Sequence, residues 1–159
     1  MLKLDHFKEV NDRHGYAVGD MVLTNLAQVF KEECRGADLL ARTGDEEFLI
    51  LGIDCDAEQA KAFAERLRER IHRSKFSAVN GQKFRLTASV GVACAYAGEL
   101  DNFEVIFAEA DRALHVAKLE GRNRVVLSQL ERATQNFMRQ QADINPIWPM
   151  PERSAALAV

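Results

Sequence analysis

The chain has 159 residues, of which 47% are hydrophobic and 28% are charged, and its formal net charge is −3 at pH 7. These are the values of a globular protein with room for one domain of ordinary size, so disorder is excluded for the bulk of the chain. The slight acidic excess argues against a nucleic-acid binder, which needs clustered Lys and Arg, so any phosphate binding must be local.

The first part of the chain predicts a strand followed by a helix. Leu2-Lys3-Leu4-Asp5 has the pattern of the end of a strand, which predicts a domain truncated at its N-terminus. The polar segment from His6 to Gly15 predicts turns. Asp20 then predicts the N-cap of a helix whose apolar residues recur at helical spacing as far as about Glu33.

An acidic turn follows between two strand-like runs. Gly44-Asp45 stands between Leu39–Ala41 and Phe48–Leu51, which predicts a β-hairpin with a two-residue turn and a positive φ at Gly44. The turn continues into Glu46 and Glu47. Taken alone, this pattern fits a surface turn with solvated acids as well as a site that presents carboxylates.

The remaining elements predict a helix, a second hairpin, a third helix and a last strand. Asp56 and Gln59 form a capping box that opens the second helix, whose apolar stripe reaches Ile71. The second hairpin has its turn at Asn80-Gly81 and one long strand from Phe84 to Ala95. The third helix covers about residues 101–119 and ends at Gly121, and the last strand is 124–127.

This order of elements predicts an α/β sandwich with helices packed against a largely antiparallel sheet. We place this domain at residues 1–127 and a C-terminal tail at 128–159. The tail is predicted to be helical from Gln129 to Ala142 and irregular afterwards, because three prolines and Trp148 follow.

The three cysteines, Cys34, Cys55 and Cys94, are an odd number at no metal-ligand spacing, and each lies in or beside an apolar segment. This is typical of reduced structural thiols in a cytosolic setting. The chain has no 18-residue apolar run and no leader pattern. We therefore expect a cytoplasmic protein with no membrane segment in this chain.

Six motifs together, in order and spacing, resemble the GGDEF domain of diguanylate cyclases over about residues 2–127. They are Leu4-Asp5-His6-Phe7-Lys8, Asn11-Asp12, Gly19-Asp20, the turn Gly44-Asp45-Glu46-Glu47-Phe48, Thr87–Val92, and Ala117-Lys118 with Gly121-Arg122-Asn123. The resemblance implies a fold like that of the class III nucleotide cyclases. It also implies the condensation of two GTP molecules into cyclic di-GMP with loss of pyrophosphate, in a homodimer whose protomers each hold one GTP.

The resemblance assigns the catalytic and metal-binding roles to the acidic turn. Glu46 would bind Mg²⁺ or Mn²⁺ together with the backbone carbonyl of Leu4, and Glu47 would lie beside the reacting 3′-hydroxyl. Gly44 and Asp45 complete the turn. Carboxylates at this point suit the chemistry, because a triphosphate needs a divalent metal held by oxygen ligands.

The resemblance also assigns the phosphate contacts of the substrate. The backbone of His6, Phe7 and Lys8, with the side chains of Lys118 and Arg122, would surround the phosphates. The alternative for Lys118 and Arg122 is a favourable interaction with the C-terminal dipole of the third helix, and both interpretations can hold at once.

Asn11 and Asp20 match the pair that reads guanine in the family. An amide and a carboxylate together can satisfy the donors and acceptors of that base. The alternative is that Asn11 forms a turn and that Asp20 only caps a helix.

A second site is predicted around Arg35-Gly36-Ala37-Asp38 and Arg66, which match the family's product-inhibition site for cyclic di-GMP. Guanidinium groups read phosphate and guanine at two points, while the carboxylate of Asp38 accepts from guanine N–H groups. The alternative is a surface pair of Arg35 and Asp38 worth about 0.5 kcal/mol.

The sequence departs from the family pattern at Lys3 and Asp45. Lys3 stands where the family has its first metal-binding aspartate, and Asp45 where it has the second glycine of the turn. At ~4 Å and an effective dielectric of ~20, exchanging a carboxylate for an ammonium could cost on the order of 10 kcal/mol of metal affinity as an upper bound. Asp45 restricts the backbone and crowds the nucleotide.

These departures argue against metal binding, and we expect Lys3 to pair with Glu46. We therefore expect a diguanylate cyclase domain whose turnover of GTP is impaired or lost. The alternative is a degenerate GGDEF module that binds GTP or cyclic di-GMP and regulates without turnover.

Overall fold

The structure, a computed structural model, describes residues 1–95 and 103–128. Its strands and helices are, in chain order, β1 (Leu2–Leu4), α1 (Phe7–His14), α2 (Tyr16–Glu33), β2 (Leu39–Arg42), β3 (Glu47–Leu51), α3 (Ala57–Arg73), β4 (Phe76–Ser77), β5 (Lys83–Phe84), β6 (Ala88–Val92), α4 (Phe103–Leu119) and β7 (Val125–Leu127). The predicted tail helix lies outside the described residues, and the boundary at residue 127 stays a prediction.

Five strands form one sheet in the order β2-β3-β1-β6-β7, in which β6 and β7 are parallel and the other neighbours are antiparallel. Alternation along β3 divides the core between its two faces. Phe48 and Ile50 join the core of α1, α2 and α3, whereas Leu49 and Leu51 pack with residues of α4. The helices therefore cover both faces of a mostly antiparallel sheet, as predicted.

Two predictions for the first segment were wrong. Residues 7–14, predicted as turns, form α1, because Phe7 and Val10 lie on one helical face and are both buried. The chain then breaks at Gly15, whose φ of 85° suits glycine, and α2 begins at Tyr16. Asp20 consequently lies inside α2 and is not its N-cap.

The acidic turn is longer than predicted. The N–H of Thr43 donates to the carbonyl of Glu47 at 3.0 Å, so the loop contains Gly44, Asp45 and Glu46, and Gly44 does not have a positive φ. The side chain of Arg42 holds this loop in place. Its Nε donates to the carbonyl of Gly44 at 3.0 Å, and its Nη2 donates to the carbonyl of Asp45 at 2.9 Å.

The second hairpin forms, but its long strand is broken. The turn at Asn80-Gly81 is closed by the N–H of Ala78 and the carbonyl of Gln82, and β4 pairs with β5 in a separate two-stranded sheet. The chain leaves that small sheet before β6, which is buried at every residue and pairs with β1 and β7. Two different pairing partners therefore divide what the sequence predicts as one strand.

The start of α3 and the end of α4 confirm the helix caps that the sequence predicts. Asp56 and Gln59 form the predicted capping box at the start of α3. At the end of α4, Gly121 has a φ of 110°, its N–H reaches the carbonyl of Lys118, and the N–H of Arg122 donates to that of Ala117. This pair of bonds is a Schellman motif, which requires a left-handed residue at the position of Gly121.

Gly91 sets how closely α4 approaches the sheet. A Cβ at this position would lie 2.1 Å from the carbonyl oxygen of Ala110 and 2.2 Å from the backbone nitrogen of Leu114. Both atoms belong to the backbone of α4, so the whole helix would have to move. We expect Gly91→Ala to lower the free energy of unfolding by about 1–3 kcal/mol, measured by urea denaturation.

Gly36→Ala is the matched control for that measurement. In the part of the chain that the structure describes, no atom lies within 4 Å of a Cβ at Gly36, and its φ is not positive. This variant should unfold like the wild-type protein, and equal stability of the two alanine variants would contradict the close packing at Gly91.

Candidate functional site

Lys3 lies between the two glutamates of the acidic turn. The pairing of β1 with β3 places Lys3 directly opposite Glu47. The Nζ of Lys3 lies 2.7 Å from Oε1 of Glu47 and 3.3 Å from Oε1 of Glu46, with all three side chains partly buried. The hydrogen bond to Glu47 and the charges of both glutamates raise the pKa of Lys3 despite its partial burial. Lys3 is therefore an ammonium at neutral pH and pairs with both glutamates.

The residues at this position do not fit a divalent cation. Mg²⁺ needs a set of oxygen ligands, and the ammonium of Lys3 already takes the space between the two carboxylates. Asp45 is exposed on the loop. Within the described ranges, no group of three His, Cys, Asp or Glu side chains is arranged to hold a metal ion.

Asp5 cannot serve as a replacement ligand, because both of its oxygens are engaged. The hydroxyls of Thr87 and Ser89 donate to the carboxylate at 2.6 and 2.7 Å, and the backbone N–H of Asn123 donates at 3.1 Å. Asp5 is 4% exposed. This buried carboxylate joins β1, β6 and the loop after α4, a role that the sequence reasoning missed although it had named the motifs of all the residues involved.

Lys118 belongs to the same cluster. Its pKa is lowered by burial and, next, by the ammonium of Lys3, while Glu47, Asp111 and Asp5 raise it. The structure therefore brings Lys118 together with Lys3 and the acidic turn. Arg122 is exposed on the loop that follows α4.

The segment from His6 to Lys8 forms the start of α1. His6 precedes the helix with a left-handed φ of 56°, and its ring contacts Glu9 at 2.8 Å. The first N–H groups of a helix have no partner within the helix, and the helix dipole is positive there. This arrangement at the predicted phosphate position suits an anion.

Asn11 has an unpartnered side-chain oxygen beside α2. Its Oδ1 is buried and has no hydrogen-bond partner among the described residues. A Cβ at Gly19 would lie only 1.9 Å from this oxygen, so glycine makes room for it. Asp20, the next residue, is exposed on α2. A buried acceptor without a donor is costly, so the site fits a ligand that brings an N–H group.

A groove of about 170 Å³ brings Arg35, Asp38 and Arg66 together, with Phe63 and Gln59 among the other lining residues. Asp38 accepts the backbone N–H of Arg35 at 2.7 Å, which fixes the loop between α2 and β2. Among the described residues, no carboxylate lies within ion-pair distance of the Arg35 guanidinium. The alternative interpretation, a surface ion pair of Arg35 and Asp38, is not seen, because Asp38 binds the backbone N–H of Arg35.

Arg66 is oriented by two neighbours in this groove. Its guanidinium lies 5.3 Å from the ring centre of Phe63, and its Nε is 3.7 Å from Glu33. The groove thus combines two guanidinium groups, one carboxylate and an aromatic face. This donor set fits a ligand with both phosphates and planar bases.

A family description, "Diguanylate cyclase, GGDEF domain", matches residues 1–124 of the chain. The chain belongs to the GGDEF family. It is 41% identical over 128 residues to diguanylate cyclase A of Treponema denticola and 37% identical over 127 residues to diguanylate cyclase DosC of Escherichia coli. These matches cover 80% of this chain but 34% and 27% of the two relatives, so the chain spans about a third or less of their length.

Solved GGDEF domains have the same fold. The active GGEEF domain of a diguanylate cyclase from Vibrio cholerae matches with a TM-score of 0.72 and 31% identity, over 80% of this chain and 79% of that one. The GGDEF domain of DgcB from Caulobacter crescentus, solved in complex with c-di-GMP, matches with a TM-score of 0.75 and 29% identity, over 80% and 75%. These findings confirm the predicted family and fold, and the family implies cyclic di-GMP signalling.

Within residues 1–95 and 103–128, no helix combines the length and apolar character that crossing a membrane requires.

The electrostatic effect of Lys3 on Lys118 in this GGDEF domain can be tested by titration. Lys3→Met should raise the pKa of Lys118, because a neighbouring ammonium disappears and Glu46 and Glu47 lose their counter-charge. Burial is the larger cause and persists, so this pKa should stay below the usual lysine range. NMR titration of ¹³C-labelled lysine side chains measures the change.

Lys31→Met, at an exposed position of α2, is the matched control and should leave the pKa of Lys118 where it is. An identical pKa of Lys118 in the wild-type protein and in Lys3→Met would contradict the proximity of the two ammonium groups.

Proposed function

We propose that this chain is a GGDEF domain that binds GTP and cyclic di-GMP and whose condensation of GTP is strongly impaired. The observation that carries the proposal is the position of Lys3, whose ammonium contacts both carboxylates of the acidic turn. It occupies the place that a divalent cation needs, and the family's chemistry depends on charge stabilisation at the triphosphate.

The same contact affects the proposed role of Glu47. This residue would lie beside the 3′-hydroxyl and accept its proton, but its Oε1 already accepts a hydrogen bond from Lys3 at 2.7 Å. A general base must reach the proton that it removes. Lys3 therefore opposes catalysis at both the metal position and the base.

GTP binding is supported by features that do not depend on a metal ion. The buried oxygen of Asn11 lacks a donor, and the N–H groups of guanine would supply one. The N-terminus of α1 and the cations Lys118 and Arg122 would face the phosphates. We propose that these groups hold GTP even where the metal position is taken.

Cyclic di-GMP binding is supported by the groove at Arg35, Asp38 and Arg66. Its two guanidinium groups suit the phosphates and guanine edges of that ligand. The related domain of DgcB was solved with c-di-GMP.

A protein partner is known for another relative. SiaD of Pseudomonas aeruginosa was solved with its activator SiaC. It is 36% identical to this chain, with a TM-score of 0.73 over 80% of this chain and 48% of that one. Dimerisation remains part of the proposal, because condensation joins two GTP molecules held by separate protomers.

Lys3→Asp should restore turnover. The substitution removes the ammonium and returns a carboxylate, so Glu46 and the new aspartate can share a divalent cation. With Asp45→Gly added, cyclic di-GMP formation from GTP with Mg²⁺ or Mn²⁺ should rise at least about tenfold, since a tenfold rate is worth only 1.36 kcal/mol of barrier. Chromatographic separation of nucleotides after incubation at high protein concentration measures the product.

Two comparisons make the turnover test specific. Lys31→Asp reverses the same charge at an exposed position of α2 and should not increase turnover. If the wild-type protein already forms cyclic di-GMP well above a Glu46→Ala, Glu47→Ala variant, Lys3 does not block the site and the proposal of impairment is wrong.

Gly19→Ala should weaken GTP binding without unfolding the domain. The new methyl group would lie 1.9 Å from Oδ1 of Asn11 and 3.2 Å from the ring of Phe7, so it would displace the flexible side chain of Asn11 rather than any backbone. Losing one hydrogen bond to the base should lower GTP affinity about tenfold in calorimetry. The effect should vanish in an Asn11→Ala background, and an equal loss in both backgrounds would show that Gly19 acts by another route.

Arg35→Ala should abolish most cyclic di-GMP binding. Removing a guanidinium that has no carboxylate partner among the described residues leaves the fold intact but takes a phosphate-binding group from the groove. Calorimetry should show an affinity at least about tenfold lower, which corresponds to 1.4 kcal/mol. Arg112→Ala, an exposed arginine on α4, is the control and should bind like wild type; equal binding by both variants would place the ligand elsewhere.

A further inference from the structure

Helix α3 reaches the loop after α4 through the side chain of Arg68. This side chain is 14% exposed, and its Nη1 donates to Oδ1 of Asn123 at 2.7 Å. Within the described ranges, its other polar contacts are Glu65 and Glu69 of its own helix. Because those two carboxylates already compensate the charge of the partly buried guanidinium, the bond to Asn123 is not needed to neutralise it.

Asn123 is also held from its other side. Its backbone N–H donates to Oδ2 of the buried Asp5 at 3.1 Å, and Asp5 is fixed in turn by the hydroxyls of Thr87 and Ser89. Asn123 is therefore clamped between α3 and the end of β1. These two elements, β1 at residues 2–4 and α3 at residues 57–73, are far apart in the sequence.

The clamped residue belongs to an unusual turn. Arg122 and Asn123 are consecutive and both have a positive φ, of 63° and 47°. Asparagine tolerates this region better than other side chains, whereas arginine rarely adopts it. The Schellman bonds to α4 and the Nε of Arg124, which donates to the carbonyl of Arg122 at 3.3 Å, hold the first part of this turn, and the bonds to Asn123 hold its second part.

The turn does not cover the hydrophobic core. Gly121 and Arg122 are both exposed. The turn carries Arg122, which lies four residues after Lys118 and outside α4.

We infer that Arg68 is a positioning residue for Arg122: through Asn123, it holds the left-handed turn that directs this guanidinium toward the phosphates of a bound nucleotide. The inference rests on the proposed function, since it takes Arg122 as a phosphate-binding group. It predicts that a residue of α3 that touches no substrate controls affinity for the β- and γ-phosphates.

The first test is made without any nucleotide. Hydrogen exchange of the Asn123 amide, followed by NMR, should be about tenfold faster in Arg68→Ala because one side of the clamp is lost. Asn123→Gly provides a second variant that keeps the N–H bond to Asp5 and accepts a positive φ, but removes Oδ1. Arg73→Ala is the control, because Arg73 lies on the same helix and contacts Glu69 but not the turn. Unchanged exchange in Arg68→Ala would overturn the inference.

The second test separates positioning from general stability. Calorimetry with GTP and with GMP should show about tenfold weaker GTP binding in Arg68→Ala and in Asn123→Gly, with unchanged GMP binding, because GMP lacks the phosphates concerned. The double variant should lose no more than either single one. Equal losses for GTP and GMP, or none, would show a merely structural contact and overturn the inference.

The two tests distinguish the inference from the proposed function. If the wild-type protein binds no GTP, the proposed function fails and the phosphate role of Arg122 fails with it. Faster exchange of the Asn123 amide in Arg68→Ala would then still establish the clamp, as a structural contact only.

Discussion

The ammonium of Lys3 lies 2.7 Å from Glu47 and 3.3 Å from Glu46, and the character of the whole site depends on this contact. The register of β1 and β3 pairs Lys3 with Glu47, so their side chains lie next to each other on the same face of the sheet. Two carboxylates this close would repel each other without a counter-charge, and either a metal ion or a basic side chain can supply it. In this chain the counter-charge is the ammonium of Lys3, so the charge of the acidic turn is partly compensated without a metal ion.

Around this ion pair, the site is assembled from the ends of secondary-structure elements. The end of β1, the start of α1 and the end of α4 meet there, and each contributes backbone groups or cations that the element itself does not satisfy. The buried carboxylate of Asp5 connects these ends, because it binds both β6 and the loop after α4. A polar group in this position is expensive unless fully hydrogen-bonded, and here each of its oxygens has a donor.

The groove beyond the C-terminal end of β3 is built differently from the ion-pair site. It lies between the loop before β2 and helix α3, away from the ion pair, and combines charged and aromatic groups on an accessible surface. Arg66 in the groove and Arg68 in the clamp are two residues apart on α3, so they point in different directions from the same helix. One rigid element thus supports both the groove and the loop that carries Arg122.

The amino-acid sequence by itself determined the family, the order of most elements and the ends of α3 and α4, because capping boxes, Schellman glycines and alternating strands act over a few neighbouring residues. It also identified Lys3 and Asp45 as departures, since motif positions are read directly. The sequence did not predict α1, because only Phe7 and Val10 are buried in a segment that is otherwise polar. It predicted β5 and β6 as one strand, because only their different pairing partners separate them. The sequence also predicted the pairing of Lys3 with Glu46, which the structure confirms. The shorter contact of Lys3 with Glu47, the bonds of Asp5 and the unpartnered oxygen of Asn11 were decided by the tertiary structure alone, because each depends on atoms that packing brings together from distant parts of the chain.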